Sequence, residues 1–167
     1  MRSLTIILFA ALPGLALAQK VTMEFDQGAD FSKFKTFFIN PGQLNSKNPA
    51  LNNDIIRKKI QDDIRQQLMA KGLEEVTSGR RDLNVRFSLG SSRRKEVDVY
   101  PAGWWGYRRV VSGYTEGTLV LDLRDPTKQV LIWRAIAVED KSDAAHVEGK
   151  LDDMVKKSLE QYPPKKK

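Results

Sequence analysis

Apolar and polar residues recur along this chain with two periods, and each change of period marks an element. Val21 to Phe25 alternates apolar and polar, as a short half-buried strand does. Asp30 precedes Phe31 and Phe34, two aromatics three apart, which predicts one helical turn capped by the aspartate. Thr36 to Ile39 predicts a second strand, and Pro41 to Pro49 gathers Pro, Gly, Asn and Ser into a loop. From Asn52 or Asn53 to about Lys71 the period turns helical. Ile56, Ile60, Ile64 and Leu68 recur every four residues, with Ile55 and Met69 on the flanks and Gly72 where a left-handed C-cap belongs. Leu73 to Val76 predicts a short extended entry, and Ser78 to Asp82 a turn.

The second half is richer in strands. Leu83, Val85, Phe87 and Leu89 alternate with polar residues and predict a clear strand. Glu96 to Tyr100 predicts a weaker one, interrupted at Pro101 to Gly106 and resumed over Tyr107 to Val111. Thr115 to Arg124 and Gln129 to Glu139 predict a hairpin about Asp125-Pro126-Thr127-Lys128, with proline preset at the second turn position. With Asp125 opposite Lys128, Leu121 falls opposite Ile132 and Leu123 opposite Val130. Val120 then falls opposite Trp133, and Thr118 opposite Ala135, on the other face. A last helix is predicted from about Asp143 to Gln161, striped by Val147, Leu151, Met154, Val155 and Leu159 and stopped by Pro163-Pro164. This order predicts an α+β fold, a single mainly antiparallel sheet with two helices packed on one face.

The N-terminus does not fit this alternation. Arg2 precedes the apolar run Leu4 to Leu12; Pro13 and Gly14 follow, then Ala16-Leu17-Ala18. That is the pattern of a cleaved secretory signal peptide over residues 1–18, too short for a span of about 20 apolar residues. The expectation is an exported protein, periplasmic or secreted, with residues 19–164 as a single domain, residues 165–167 as a basic tail and no transmembrane span in the mature chain.

Composition narrows the chemistry. The 167 residues are 41% hydrophobic and 29% charged, the balance of a globular domain. There is no cysteine, which excludes disulfides, thiol catalysis and lipid attachment through a cysteine. One histidine, His146, excludes a multi-histidine metal centre. No phosphate-binding loop, dinucleotide-binding glycine motif or calcium loop occurs, so no cofactor and no metal is expected. Losing Arg2 with the leader takes the formal net charge from +7 to +6. Outside the cytoplasm nucleic acid is not an expected target; anionic lipid or glycan is.

Asp30-Phe31-Ser32-Lys33-Phe34-Lys35-Thr36-Phe37 resembles the N-terminal signature of a bacterial envelope family called domain of unknown function 4136. That signature is an aspartate, an aromatic, then Ser-Lys-aromatic-Lys-Thr-aromatic. Tyr114 to Leu123, followed by Leu131-Ile132-Trp133-Arg134, is similar to the family's second signature, and Leu151 to Pro164 to its ending. The resemblance implies an envelope location and an α+β fold. It implies no catalytic residues. Many relatives are lipoproteins with a lipid-attachment cysteine, which this chain lacks.

The richest surface chemistry lies in Tyr100 to Arg109. Two of the three tryptophans, Trp104 and Trp105, and two of the four tyrosines, Tyr100 and Tyr107, fall there, with Arg93 and Arg94 upstream and Arg108 and Arg109 at its end. Aromatic faces beside cations suit a sugar ring, an anionic glycan or a lipid headgroup. The alternative role for these rings is to plug the open sheet face near Trp133. The pairs Asp62-Asp63 and Asp152-Asp153 point about 100° apart on their helices and cannot flank one substrate bond. Glu116 and Asp122 on the hairpin are read as ion-pairing residues, Ser142 as a helix cap and His146 as a surface residue. The expected function is therefore non-enzymatic. It is binding or scaffolding at the envelope through the aromatic-basic loop, with an anionic envelope component or another envelope protein as partner. The alternatives are a hydrolase of an envelope polymer acting through Glu116 and Asp122, and a structural assembly subunit.

Overall fold

The computed structural model describes residues 20–101, 107–142 and 144–165; for 91–101, 107–116 and 140–142 it describes the backbone alone. The elements are β1 (Lys20–Phe25), β2 (Thr36–Ile39), β3 (Gln43–Leu44), α1 (Asp54–Ala70), β4 (Glu74–Glu75), β5 (Leu83–Pro101), β6 (Tyr107–Asp125), β7 (Val130–Ser142), α2 (Ala144–Gly149) and α3 (Leu151–Leu159). Single 3-10 turns precede β2 and α1.

Local rules account for the first half. Asp30 caps the turn Phe31–Lys33 by accepting from the Ser32 amide. Asn53 caps α1 by accepting from the Ile56 amide at 3.0 Å. Ile56, Ile60, Ile64 and Leu68 are all buried, whereas Ile55, beyond the stripe, is 78% exposed. Gly72 closes α1 at φ +83°, with its amide on the Met69 carbonyl and the Leu73 amide on the Leu68 carbonyl. This pair of bonds satisfies two carbonyls of the last turn and requires a residue that tolerates the left-handed region.

The strands form one sheet in the order β1-β7-β6-β5-β2-β4, with β3 also on β5. The joints β1–β7, β7–β6 and β6–β5 are antiparallel; β2–β5, β2–β4 and β3–β5 are parallel. The sheet is thus mixed, not mainly antiparallel. The cause is α1, which carries the chain from the end of β2 back to its start, so β4 runs beside β2 in the same direction. Alternation along a strand fixes which residues share a face but carries no information on direction.

Three helices, not two, lie on one face. The predicted last helix divides at Gly149-Lys150, and α3 begins at Leu151, with Lys150 at the cap position making no side-chain cap bond. A glycine inside a helix costs about 1 kcal/mol against alanine, and the chain breaks there. The stripe survives the break, since Val147, Leu151, Met154, Val155 and Leu159 are all buried. They meet Leu83, Val85, Phe87 and Leu89 of β5, Leu119, Leu121 and Leu123 of β6, and Trp133, Ala135 and Ala137 of β7 in one core.

The hairpin register also differs. Leu121 pairs with Ala135 and Leu123 with Trp133; an irregularity then leaves Asp125 opposite Val130. The Asp125 carboxylate accepts from the amides of Thr127 (2.8 Å) and Lys128 (3.1 Å), so Lys128 belongs to the turn and not to the ladder. The shift changes parity. Trp133 joins the helix-facing side, 0% exposed, with its ring edge-on to Tyr162 at 5.8 Å. Finally, β5 and β6 are single strands of 19 residues each, paired from Asn84–Arg124 to Pro101–Tyr107, where separate short strands were expected.

Candidate functional site: the uncovered face of the sheet

Because the helices cover one face, alternate residues face away from them. On β5 these are Asn84, Arg86 and Ser88, on β6 Thr118, Val120 and Asp122, on β7 Arg134, Ile136 and Val138, and on β1 Lys20, Thr22 and Glu24. None belongs to the buried core. Where the chain leaves β2 and returns as β3, both against β5, residues 40–42 form an arch beside β5, three residues against the two, Arg86 and Phe87, that they pass. A groove of about 480 Å³ opens there, lined by Asn40, Pro41, Gln43, Arg86, Phe87, Ser88, Val120 and Asp122. The arch is anchored by the Asn40 amide on the Val85 carbonyl at 2.9 Å. It lies so close that a Cβ on Gly42 would stand 2.0 Å from the Phe87 ring.

A row of alternating charge crosses this face. Register places Glu24 opposite Arg134, Arg134 opposite Asp122 and Asp122 opposite Arg86. Arg134 donates from Nε to Asp122 Oδ1 and from a terminal nitrogen to Oδ2, both at 2.7 Å. The Asp122 hydrogen bonds, with the charges of Asp122 and Glu24, raise the Arg134 pKa above its ordinary value against the opposing effect of burial. Arg86, exposed at the groove, has no hydrogen bond or ion pair among the described residues. Asn40 Oδ1 is buried there without a hydrogen-bond partner. The groove therefore offers an unpaired guanidinium, an unsatisfied amide oxygen and the polar groups of Gln43 and Ser88. A ligand bearing an anionic group beside hydroxyls matches that set.

The sequence-predicted residues lie elsewhere on the same two strands. Arg93, Arg94 and Tyr100 are on β5, and Tyr107, Arg108 and Arg109 on β6. Tyr100 pairs with Arg108, Pro101 with Tyr107, Arg93 with Thr115 and Arg94 with Tyr114. The side chains of these residues, and Trp104 and Trp105 altogether, lie outside the described residues. Beyond Arg94 and Tyr114 the two strands pair only with each other among the described residues, a ribbon of about 25 Å at 3.3 Å per residue.

The carboxylates are engaged separately. Asp62 pairs with Lys58 at 3.1 Å and with Arg65, Asp63 with Lys59 at 3.7 Å, and Asp153 with Lys157 at 2.9 Å. Burial raises the Asp63 pKa, and the like charge of Asp152 across the α1–α3 contact adds to it. Asp122 makes the cross-strand ion pair expected of it; the Glu116 side chain lies outside the described residues, as does that of Ser142. His146 Nε2 lies 3.3 Å from Glu139 Oε1, and Glu139 is only 9% exposed. Sequence reasoning missed the groove. Its one sequence signal is Asn40-Pro41-Gly42, a turn cluster between two strand candidates.

A second cavity, of about 570 Å³, lies between β1 and the C-terminal prolines, lined by Met23, Phe25, Gln27, Glu160, Gln161, Pro163, Pro164 and Lys165. Among the described residues no helix is long and apolar enough to cross a membrane.

The family model described as domain of unknown function (DUF4136) matches residues 21–164. Among solved structures, a PDZ domain protein from Parabacteroides distasonis is similar at 19% identity and a TM-score of 0.59. That match covers 89% of this chain and 36% of the other, so this chain spans about a third of that protein's length. The PelC dodecamer from Paraburkholderia phytofirmans is similar at 11% identity and a TM-score of 0.51, over 85% of this chain and 95% of that one. At such identities the likeness is one of fold. No curated protein matches the chain.

Proposed function

We propose a function from the premise that this chain belongs to the DUF4136 family of domains of unknown function. It is a non-enzymatic binding or scaffolding domain, exported to the bacterial envelope, that holds an anionic envelope component against its uncovered sheet face and the β5–β6 ribbon. The observation that carries the reading is the ribbon. Two 19-residue strands continue past their sheet neighbours and bring Tyr100 into register with Arg108. An isolated two-stranded ribbon is marginal in water by itself, so extending one is costly unless it meets something. The groove at Arg86 and Asn40 lies on the same pair of strands and supplies cationic and polar groups of the kind an anionic, hydroxylated ligand needs. The hydrolase alternative loses support because both oxygens of Asp122 are held by Arg134.

The test is co-sedimentation of the purified protein with vesicles rich in anionic phospholipid and, separately, with an acidic polysaccharide. Trp104→Ala with Trp105→Ala is expected to abolish binding to one of these while leaving Tm unchanged. A collapse of Tm would place the rings in the core and refute the reading, as would undiminished binding by the double variant. A second reading, an assembly subunit, draws on the fold shared with the dodecameric PelC. A discrete ring on sizing, with no binding to either probe, would favour it.

A further inference from the structure

The antiparallel joint between β1 and β7 leaves one side of β1 open. The Asp26 amide donates to the Ile132 carbonyl at 2.9 Å, continuing the register Lys20–Val138, Thr22–Ile136 and Glu24–Arg134. In an antiparallel ladder, hydrogen-bonded pairs recur every second residue. The even residues of β1 therefore turn their N–H and C=O groups to β7, and Val21, Met23 and Phe25 turn theirs off the edge. No strand pairs with them there among the described residues. The opposite edge of the sheet is β4, two acidic residues long, too short to template a partner.

We infer that this edge pairs with the same edge of a second copy, β1 against β1 about a two-fold axis at Thr22, joining two sheets into one. Parity decides the register. Outward backbone groups meet only if odd residues face odd residues, which excludes the full overlap of Lys20 with Phe25. Of the two nearest alternatives, a centre at Met23 sets Lys20 opposite Asp26, whose carboxylate already accepts from the Gly28 amide at 2.8 Å. A centre at Thr22 sets Lys20 of each copy opposite Glu24 of the other, Val21 opposite Met23, and threonine opposite threonine. Lys20, Thr22 and Glu24 are all exposed on the uncovered face. Glu24 then stands between Arg134 of its own sheet and Lys20 of the second copy, so the row of alternating charge runs on across the axis. Five residue pairs bury less than the roughly 1,200 Å² of a standard stable interface. The association is a reversible monomer–dimer equilibrium.

Sedimentation equilibrium of the exported chain tests this, with intact mass reading leader removal independently of the association. A failure of export is thus distinguishable from a failure of pairing. The wild type is expected to dimerise with rising concentration and to dissociate with added salt. Glu24→Lys sets like charges opposite each other twice per dimer and weakens association about tenfold or more. Lys20→Glu with Glu24→Lys restores it, and the two single variants prefer each other when mixed. Val21→Pro removes an outward amide without touching the β7 ladder and abolishes dimers; because the Val21 side chain packs against the core, Val21→Ala is the control, with the same loss of packing, the amide kept and dimers retained. A wild type that stays monomeric at every concentration overturns the inference. So does a dimer indifferent to Glu24→Lys and Val21→Pro, or a double charge swap that fails to recover association.

Discussion

Gly42→Ala isolates what the arch beside β5 costs. Gly42 has no left-handed φ, so alanine meets no backbone penalty. The penalty is steric: its Cβ would stand 2.0, 2.1 and 2.4 Å from three atoms of the Phe87 ring. Phe87 is 3% exposed within the core, so the ring has nowhere to swing. Overpacking of this kind costs about 1–3 kcal/mol. Alanine recovers about 0.4–1 kcal/mol by restricting the unfolded chain. Taking the middle of each range, the net loss is about 1.3 kcal/mol, which for a domain of this size lowers Tm by about 3–5 °C. The assay is calorimetry of Gly42→Ala, Phe87→Leu and the double variant. Removing part of the ring should make alanine at position 42 neutral or favourable, a positive coupling between the two sites. Gly42→Ala with wild-type Tm, or the same cost in both backgrounds, would show that the arch does not rest on Phe87.

Three further outcomes follow from single residues. Asp82 Oδ2 accepts from the amides of Lys35 (2.9 Å) and Thr36 (3.0 Å) and from the Thr36 hydroxyl (3.0 Å), tying the start of β2 to the turn before β5. The Lys35 amide above all, then Thr36, holds its carboxyl below the ordinary range. Its stabilising contribution is therefore present above the unfolded pKa of about 3.9 and lost as pH falls through the folded value. Asp82→Asn should lower Tm at neutral pH, with the difference closing in acid. Asp63 has the opposite sign, since burial raises its pKa. Asp63→Asn should gain stability relative to the wild type as pH rises from acid to neutral, and thermal melts across that range check both variants. Gly72→Ala meets no atom within 4 Å but sits at φ +83°, so its cost is backbone strain alone, about 1 kcal/mol, read as a shift in urea midpoint at unchanged m.

What the sequence discloses is what local rules decide. Asn53, the four-residue spacing of Ile56, Ile60, Ile64 and Leu68, and Gly72 define α1 within its own segment. The turn at Asp30 is equally self-contained, and the family likeness that runs through it is confirmed over residues 21–164. What stays hidden depends on distant residues. The parallel joints of β2, β3 and β4 arise from the path of α1, which no alternation records. The register of β6 and β7 turns on Asp125 capping its own turn, a two-bond event that moves Trp133 from one face to the other. The groove needs both errors corrected before Asn40, Arg86 and Asp122 come together. The ribbon escaped as a continuous element because strands that leave the core lose the apolar period by which strands are recognised. Its aromatic and basic composition is plain in the sequence. Its tip lies outside the described residues.

Lys20 finds its neighbour in Val138, and nearly the whole domain separates them. A sheet whose opening strand waits for one of its closing strands cannot be assembled in instalments as the polypeptide emerges. Until β7 arrives, β1 has no ladder, and the α3 stripe beneath it has no chain to follow. For a protein proposed to cross a membrane as an unfolded thread, this ordering is an asset. The segment just behind the proposed leader would then remain uncommitted to the last, the domain latching shut only when its far end has come through.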